Sequence, residues 1–237
     1  MPTASPTDRA PDVGVLIPAA GSGERAGGGE PKQFRLVGGV PMLLRAVRPF
    51  ARHPRVRHIV VALPGPVAAA PPAWLGDIQG ERLSIVPGGE TRLESVRSAL
   101  GALDGACSVV LVHDAARPFV SDATIDAVID AATDMGAVPA VPVSDTLKRA
   151  HAKTLMVQET VPRAGLWRAQ TPQGCPRSML EEAYRRLGQG DAAALTDEAA
   201  LLEAAGFPVQ LVPDEPSNLK ITTPYDLALA DAIVAAR

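Results

Sequence analysis

An α/β fold, with a mostly parallel twisted sheet flanked by helices and a protruding β-hairpin arm, is what this sequence predicts. Strand-like and helix-like segments alternate almost to the C-terminus, the pattern of a parallel sheet with helical crossovers. Most strand-like segments are continuous apolar runs, as expected where helices cover both faces of a sheet. The rhythm breaks between Pro142 and Pro176, where two weakly alternating stretches with no helix between them read as a hairpin. The chain of 237 residues is 46% hydrophobic and 21% charged, enough for one large domain with a real core.

Taken in order, Met1 to Asp12 are rich in Pro, Thr and Ala and lack the apolar core of a signal peptide. They read as a disordered tail, residues 1–12. A single Rossmann-like domain follows over 13–237, with the arm at about 143–170. The strand expectations are Val13–Ile17, His58–Leu63, Leu83–Val86, Val109–Val112, Ala137–Val141 and Val209–Val212. Between them, helices are expected at Met42–Ala51, with Leu43, Leu44, Val47 and Phe50 on one face, and at Thr91–Leu103. Ser121 is the N-cap residue expected for a helix through about Met135, closed by Gly136. Pro176–Leu187, Thr196–Ala205 and Pro224–Ala236 complete the set. Thr223 is placed to cap the last, with Pro224 at its first position and Asp226 at its third. Pro64–Pro72 reads as a Pro/Ala-rich loop. Thr146–Arg149 and Met156–Thr160 form the hairpin.

Bulk properties exclude several function classes. A net charge of −3 argues against non-specific nucleic-acid binding, so any anion site must be a local concentration of basic residues. Cys107 and Cys175 are too few for a disulfide framework and show no metal-site spacing, so a reduced, cytoplasmic setting is the expectation. No stretch approaches the ~18 apolar residues of a membrane span. Basic residues are mostly arginine. The lysines are Lys32, Lys148, Lys153 and Lys220, and a lysine kept against that bias marks a compact point charge that arginine does not replace.

The first strand runs directly into Pro18-Ala19-Ala20-Gly21-Ser22-Gly23-Glu24-Arg25, followed by Pro31-Lys32-Gln33. Glycine lets backbone N–H groups approach an anion, and Arg25 and Lys32 supply the charge a polyphosphate needs. The stretch Gly21 to Ala26 formally satisfies a dinucleotide fingerprint. The second strand, however, ends Ala62-Leu63-Pro64 without the acidic ribose partner, and Gly27 to Pro31 would break the required helix. No Walker lysine is present. Asp114 and Arg117 follow Val109–Val112, at the carboxyl end of a strand where open α/β sheets bind ligands. There Asp114 is suited to hold Mg²⁺ or another divalent cation against phosphates, or else to pair locally with Arg117. Gly88, Gly89, Glu90 and Ser95 sit at another strand end and read as a base or ribose contact, or as a turn with a helix cap.

These motifs together resemble the 2-C-methyl-D-erythritol 4-phosphate cytidylyltransferase family. The resemblance runs from Val13 to the last helix through P-A-A-G-x-G-x-R, P-K-Q-F, H-D-A-A-R-P, D-T-L-K-R, V-P-R-x-G-L-W, Q-T-P-Q, T-D-E-A and N-L-K-I-T, in order. It implies that Arg25 and Lys32 stabilise the pentavalent phosphorus transition state and that Arg163 and Lys220 position methylerythritol phosphate. It further implies that Asp114, Arg117, Thr146 and Thr171 belong to the substrate site, with Asp114 near Mg²⁺. Pro18, Ala19, Ala20, Gly21, Gly23, Gly88, Gly89, Glu90, Ser95 and Ala115 fall at the nucleotide. Glu90 stands where the family carries aspartate, and Glu24 where a basic or small residue is usual. Family members resemble homodimers with embracing arms, which would carry Arg163 into the partner's site.

The implied reaction is in-line attack of the substrate phosphate on the α-phosphorus of CTP, releasing pyrophosphate. The nucleophile is already anionic, so no general base is required and His113 is expected to be structural. Rival readings are a ribitol 5-phosphate cytidylyltransferase, which resembles this family closely, a catalytically inactive nucleotide-binding regulator, and a nicotinamide oxidoreductase. No membrane or nucleic-acid partner is expected.

Overall fold

The computed structural model describes residues 12–21, 31–76, 78, 82–187 and 195–236. In chain order, β1 (Val13–Pro18) precedes a 3₁₀ turn at Lys32–Phe34 and a small ribbon of β2 (Leu36–Val37) and β3 (Val40–Pro41). Then come α1 (Met42–Arg52), β4 (Val56–Leu63), α2 (Gly65–Ala69), α3 (Ala73–Gly76), β5 (Leu83–Pro87) and α4 (Arg92–Gly101). The second half holds β6 (Val109–Val112), α5 (Asp122–Ala131), β7 (Gly136–Pro142), β8 (Leu147–Ala150), β9 (Val157–Val161), β10 (Trp167–Ala169) and β11 (Gln173–Pro176). It closes with α6 (Arg177–Arg186), α7 (Glu198–Ala204), β12 (Val209–Pro213) and α8 (Pro224–Ala235).

The main sheet is ordered β10-β7-β11-β6-β1-β4-β5, with β12 also pairing β7. The links β1–β4, β4–β5, β1–β6 and β7–β12 are parallel, while β10 and β11 run antiparallel to their neighbours. The apolar runs are explained by burial on both faces. Val13, Val15 and Ile17 of β1 join Ile59, Val61, Val109 and Leu111 in one core cluster with α1 and α5. Leu16, Val60, Ala62, Val110 and Val112 enter a second cluster under α4, α6 and α7. A smaller cluster of Val37, Met42, Ala116, Phe119, Ile221 and Ala230 docks α8 beside the sheet.

Successive strands leave β1 in one direction through β4 and β5, and the chain then returns to place β6 on its other side. Connections therefore diverge between β1 and β6, which opens a crevice at their carboxyl ends. The N-capping expectations at Ser121 and Thr223 hold in detail. Ser121 accepts the Thr124 N–H, and Thr223 with Asp226 forms a reciprocal capping box ahead of Pro224.

Three local expectations need correction. Pro64–Pro72 is not all loop: Gly65–Ala69 is helical, and Pro66 lies in its first turn, where a missing N–H costs nothing. The helix after Ser121 ends at Ala131 rather than Met135, and Gly136 opens β7 instead of closing the helix. A Cβ on Gly136 would lie 2.9 Å from Leu202 and 3.2 Å from the Pro208 carbonyl, so glycine serves the close approach of β12 here. The break between Pro142 and Pro176 also holds β10 and β11, which dock back onto β7 and β6 beyond the hairpin. The hairpin pairs Leu147 with Val161 and Lys148 with Thr160. From Ser144 to Ala169 only Leu147 and Val161 are half-buried; the rest is exposed. Residues 1–11 of the expected tail lie outside the described residues.

Candidate active site

A cavity of about 330 Å³ opens at the β1–β6 crevice. Pro18, Ala19, Ala20 and Gly21 line it from the end of β1, and Asp114, Ala115 and Ala116 from the end of β6. The turn after β5 contributes Gly89, Glu90, Thr91, Arg92 and Ser95. Lys32 and Gln33 enter from the 3₁₀ turn, and Lys220 from the segment before α8.

Packing and hydrogen bonds fix these walls. Gln33 is buried and its Nε2 donates to the carbonyls of Ala19 (2.8 Å) and Gly21 (3.3 Å), which ties the 3₁₀ turn to the loop leaving β1. Gly88 must be glycine, because a Cβ there would sit 2.4 Å from the Cβ of Ala20. The Ser95 hydroxyl accepts the Gly89 N–H (3.2 Å) and donates to the Thr91 carbonyl (3.0 Å), and Thr91 with Glu94 forms the capping box of α4. The turn after β5 is thereby rigid, and its residues present backbone and small side chains to the cavity.

Asp114 is the electrostatic centre. Its carboxylate lies 2.8 Å from Lys220 Nζ, 3.3 Å from Arg92 Nε and 3.7 Å from Arg117 Nε. Burial opposes its charge, but Arg92, Lys220 and Arg117 outweigh that and hold its pKa below the usual carboxylate range. Lys220 is positioned by its neighbours. The Asn218 amide donates to the Thr171 carbonyl and to Asp214, both at 2.9 Å, and the Ile221 N–H donates to the Ala116 carbonyl at 2.8 Å.

His113, Arg117 and Thr171 form the scaffold behind Asp114. His113 Nε2 lies 3.0 Å from the Arg117 carbonyl, which only accepts, so that nitrogen carries the hydrogen. Nδ1 of a neutral ring then accepts from the Thr171 hydroxyl at 3.1 Å, leaving Thr171 Oγ1 to accept the Asp114 N–H at 3.0 Å. Arg117 is also spent inward, donating to the carbonyls of Asn218 (2.6 Å) and Ala169 (3.3 Å).

Burial lowers the His113 pKa to about 4, and a pH test follows. The folded value lies below the ordinary one, so the unfolded chain takes up the proton first and stability falls as pH drops from 6.5 toward 4. His58, lowered chiefly by burial, adds in the same direction. Thermal unfolding should show Tm falling by several degrees between pH 6.5 and 4.5, with a smaller fall in His113→Gln. Equal pH slopes in the two proteins would contradict a neutral buried imidazole.

The structure thus brings together Pro18, Ala19, Ala20, Gly21, Lys32, Gly89, Glu90, Ser95, Asp114, Ala115 and Lys220 around one cavity. Gly88 lies directly behind that wall, and Arg117 and Thr171 support Asp114 from inside. Thr146 and Arg163 are not brought to it. Both are exposed on the hairpin segment, where Arg163 donates to the Ser144 carbonyl. Gly23, Glu24 and Arg25 lie outside the described residues. Among the described residues no group of three or more His, Cys, Asp or Glu side chains could hold a metal.

Sequence reasoning missed Gln33 and Arg92 as site residues, and gave Glu198 no role. Gln33 and Glu198 stand within the quoted P-K-Q-F and T-D-E-A motifs. Arg92 directly follows the Gly88–Thr91 turn.

Residues 13–236 match the 2-C-methyl-D-erythritol 4-phosphate cytidylyltransferase family. The chain is 47% identical over 230 residues to the protein of that name from Salinibacter ruber, covering 93% of this chain and 92% of the relative. Identity to the Frankia casuarinae protein of the same name is 43% over 237 residues, covering 99% and 84% of the two chains. The crystal structure of 2-C-methyl-D-erythritol 4-phosphate cytidylyltransferase from Thermus thermophilus aligns with a TM-score of 0.76 and 36% identity, over 93% of this chain and 98% of that one.

Proposed function

Since the chain belongs to the 2-C-methyl-D-erythritol 4-phosphate cytidylyltransferase family, and so transfers a cytidylyl group from CTP to methylerythritol phosphate in isoprenoid biosynthesis, we propose that the β1–β6 cavity is where that transfer occurs. The observation that carries this reading is the concentration of Lys32, Arg92, Lys220 and Asp114 around one cavity of an otherwise slightly acidic protein.

A phosphate oxygen of the substrate attacks the α-phosphorus of CTP. The new P–O bond forms as the bond to the bridging oxygen of the β-phosphate breaks, and pyrophosphate leaves with that electron pair. The attacking oxygen is already ionised, so the residues supply position and charge rather than proton transfer. Lys32, which lines the cavity, faces the charge that develops at phosphorus, and the family resemblance gives Arg25 the same part. The small residues Ala19, Ala20 and Gly21 and the Gly88–Gly89 turn leave room for the nucleotide, with Glu90 and Ser95 beside it. Lys220 receives the attacking phosphate, while Arg117 and Thr171 hold the base of the site.

The donor set fits Mg²⁺ held by Asp114 as its one protein carboxylate, since this ion commonly relies on one or two carboxylates and takes its other ligands from phosphates and water. When bound, the ion supplies Lewis-acid charge neutralisation on the phosphates. Lys220 lies 2.8 Å from Asp114, so its ammonium would share that carboxylate with the ion.

Thr146 and Arg163 complete the site from a second subunit in this reading. The hairpin that carries them is exposed, and its turn displays Leu155, Met156 and Val157 at 77%, 70% and 61% exposure, an apolar tip suited to a partner chain. A cytoplasmic location accords with the free, buried thiols of Cys107 and Cys175. Subunit complementation tests the shared site. Arg163→Ala and Lys32→Ala chains are each expected to be weak alone, and mixing should restore turnover, because each heterodimer contains one site with both residues intact. Verified subunit exchange without recovery would contradict the shared site.

A further inference from the structure

Asp197 caps α7, accepting the Ala200 N–H at 3.0 Å, and its other oxygen accepts from Gln173 Nε2 at 2.9 Å. That cap sets the first turn of α7, where Glu198 is 2% exposed. Its two carboxylate oxygens receive Nη1 and Nη2 of Arg92 at 2.7 and 2.8 Å, across 106 residues of chain. The first residue of α4 is thereby clamped to the first residue of α7.

Stability alone does not account for this pair. Buried ion pairs are costly to desolvate, and well-packed apolar residues of similar size hold elements together as well or better. The third donor of Arg92 supplies the reason. Its Nε lies 3.3 Å from Asp114 Oδ1, so one planar guanidinium spans the buried Glu198 and the carboxylate at the centre of the cavity, whose wall Arg92 forms. Asp114 faces Arg92, Arg117 and Lys220. Without Glu198, the Arg92 fork would be free to close on Asp114 as its own two-pronged pair, the geometry Arg and carboxylate favour. With Glu198 in place, both Nη atoms are taken and Asp114 receives only the single, longer Nε contact.

We propose that Glu198 and Arg92 are a positioning pair for cytidylyl transfer: Glu198 locks the Arg92 guanidinium so that it orients the Asp114 carboxylate without neutralising it. Glu198 does not line the cavity and acts through Arg92 on Asp114. This role rests on the assignment of the cavity to CTP.

A double-mutant cycle tests it, using Glu198→Gln, Arg92→Gln and the double variant, with Arg92→Lys as the charge-keeping control. Turnover is read at saturating CTP and methylerythritol phosphate, corrected for the folded fraction. Each single glutamine variant should lose roughly 10–100-fold in kcat, the scale of a misplaced reacting group. The double variant should lose no more than the worse single one, because both residues act along one path. Arg92→Lys should regain stability but not kcat, since an ammonium has no fork. If the single variants do not fold, the charge-balanced pair Glu198→Met with Arg92→Met decides: a stable protein with kcat reduced by that factor supports positioning. A stable double variant with wild-type kcat, or single losses that multiply, would overturn the proposal. The wild-type enzyme separates the two levels. Absence of CTP-dependent pyrophosphate release in wild type overturns the cavity assignment and the pair with it, whereas wild-type release with unaltered variants overturns the pair alone.

Discussion

Lys32→Ala is expected to lower kcat at saturating CTP by roughly 10²–10³-fold, the scale of removing one preorganised donor from a developing oxyanion. Lys32 opens the 3₁₀ turn and lines the same cavity as Asp114 and Lys220. Its turn is held by Gln33 through the Ala19 and Gly21 carbonyls, so the wall keeps its shape when the ammonium is removed. The loss should therefore appear in kcat and leave Tm close to wild type. Lys32→Arg should recover only part, because a planar fork does not reproduce a compact point charge. Arg25→Ala carries an expectation of the same size, from the transition-state role that the family resemblance implies for it. Near-wild-type turnover in the Lys32 variant, measured by steady-state pyrophosphate release, would contradict its role.

Asp114→Asn should affect both folding and turnover. Asp114 is 8% exposed and meets Lys220, Arg92 and Arg117 within 4 Å, while Arg92 also pairs with Glu198. Removing one partner of a buried ion cluster costs about 3–5 kcal/mol. For a chain of this size that is a Tm drop on the order of 10 °C. Turnover should fall by roughly 10²-fold or more, since the amide neither balances those cations nor binds a hard divalent ion. The pH arm has a definite sign. The folded pKa of Asp114 is depressed, so its stabilisation is present above the ordinary carboxylate value of 3.8 and is lost only as pH falls further. Wild type should thus lose its advantage over Asp114→Asn below about pH 4, and an unchanged gap at pH 3 would contradict the ion cluster.

The residues that proved legible in sequence are those whose role is local. Val13–Ile17 and Val109–Val112 read as buried strands because their side chains are almost all apolar, and Asp114 read as a site residue because it follows one of them closely. Ser121, Thr223 and Asp226 announced their helices through hydrogen bonds that close within four residues. What escaped depends on distant chain meeting. Trp167–Ala169 and Gln173–Pro176 are short and mixed in polarity, and become strands only because β7 and β6 offer them edges. Thr171 and Arg117, placed at the substrate by the family resemblance, hydrogen-bond to His113, Asp114, Asn218 and Ala169, mostly across distant segments of chain. The Arg92–Glu198 clamp has no local signature, since its partners lie on two different helices.

Transfer of cytidylate to methylerythritol phosphate is the reaction proposed for the β1–β6 cavity, with its lysines and Asp114. Its most direct test is pyrophosphate release from CTP with Mg²⁺, comparing methylerythritol 4-phosphate, ribitol 5-phosphate and no acceptor. Release with methylerythritol 4-phosphate that is far faster than with the others, and is lost in Lys32→Ala, is the expected result. Faster turnover of ribitol 5-phosphate, or release that survives loss of Lys32, would contradict it.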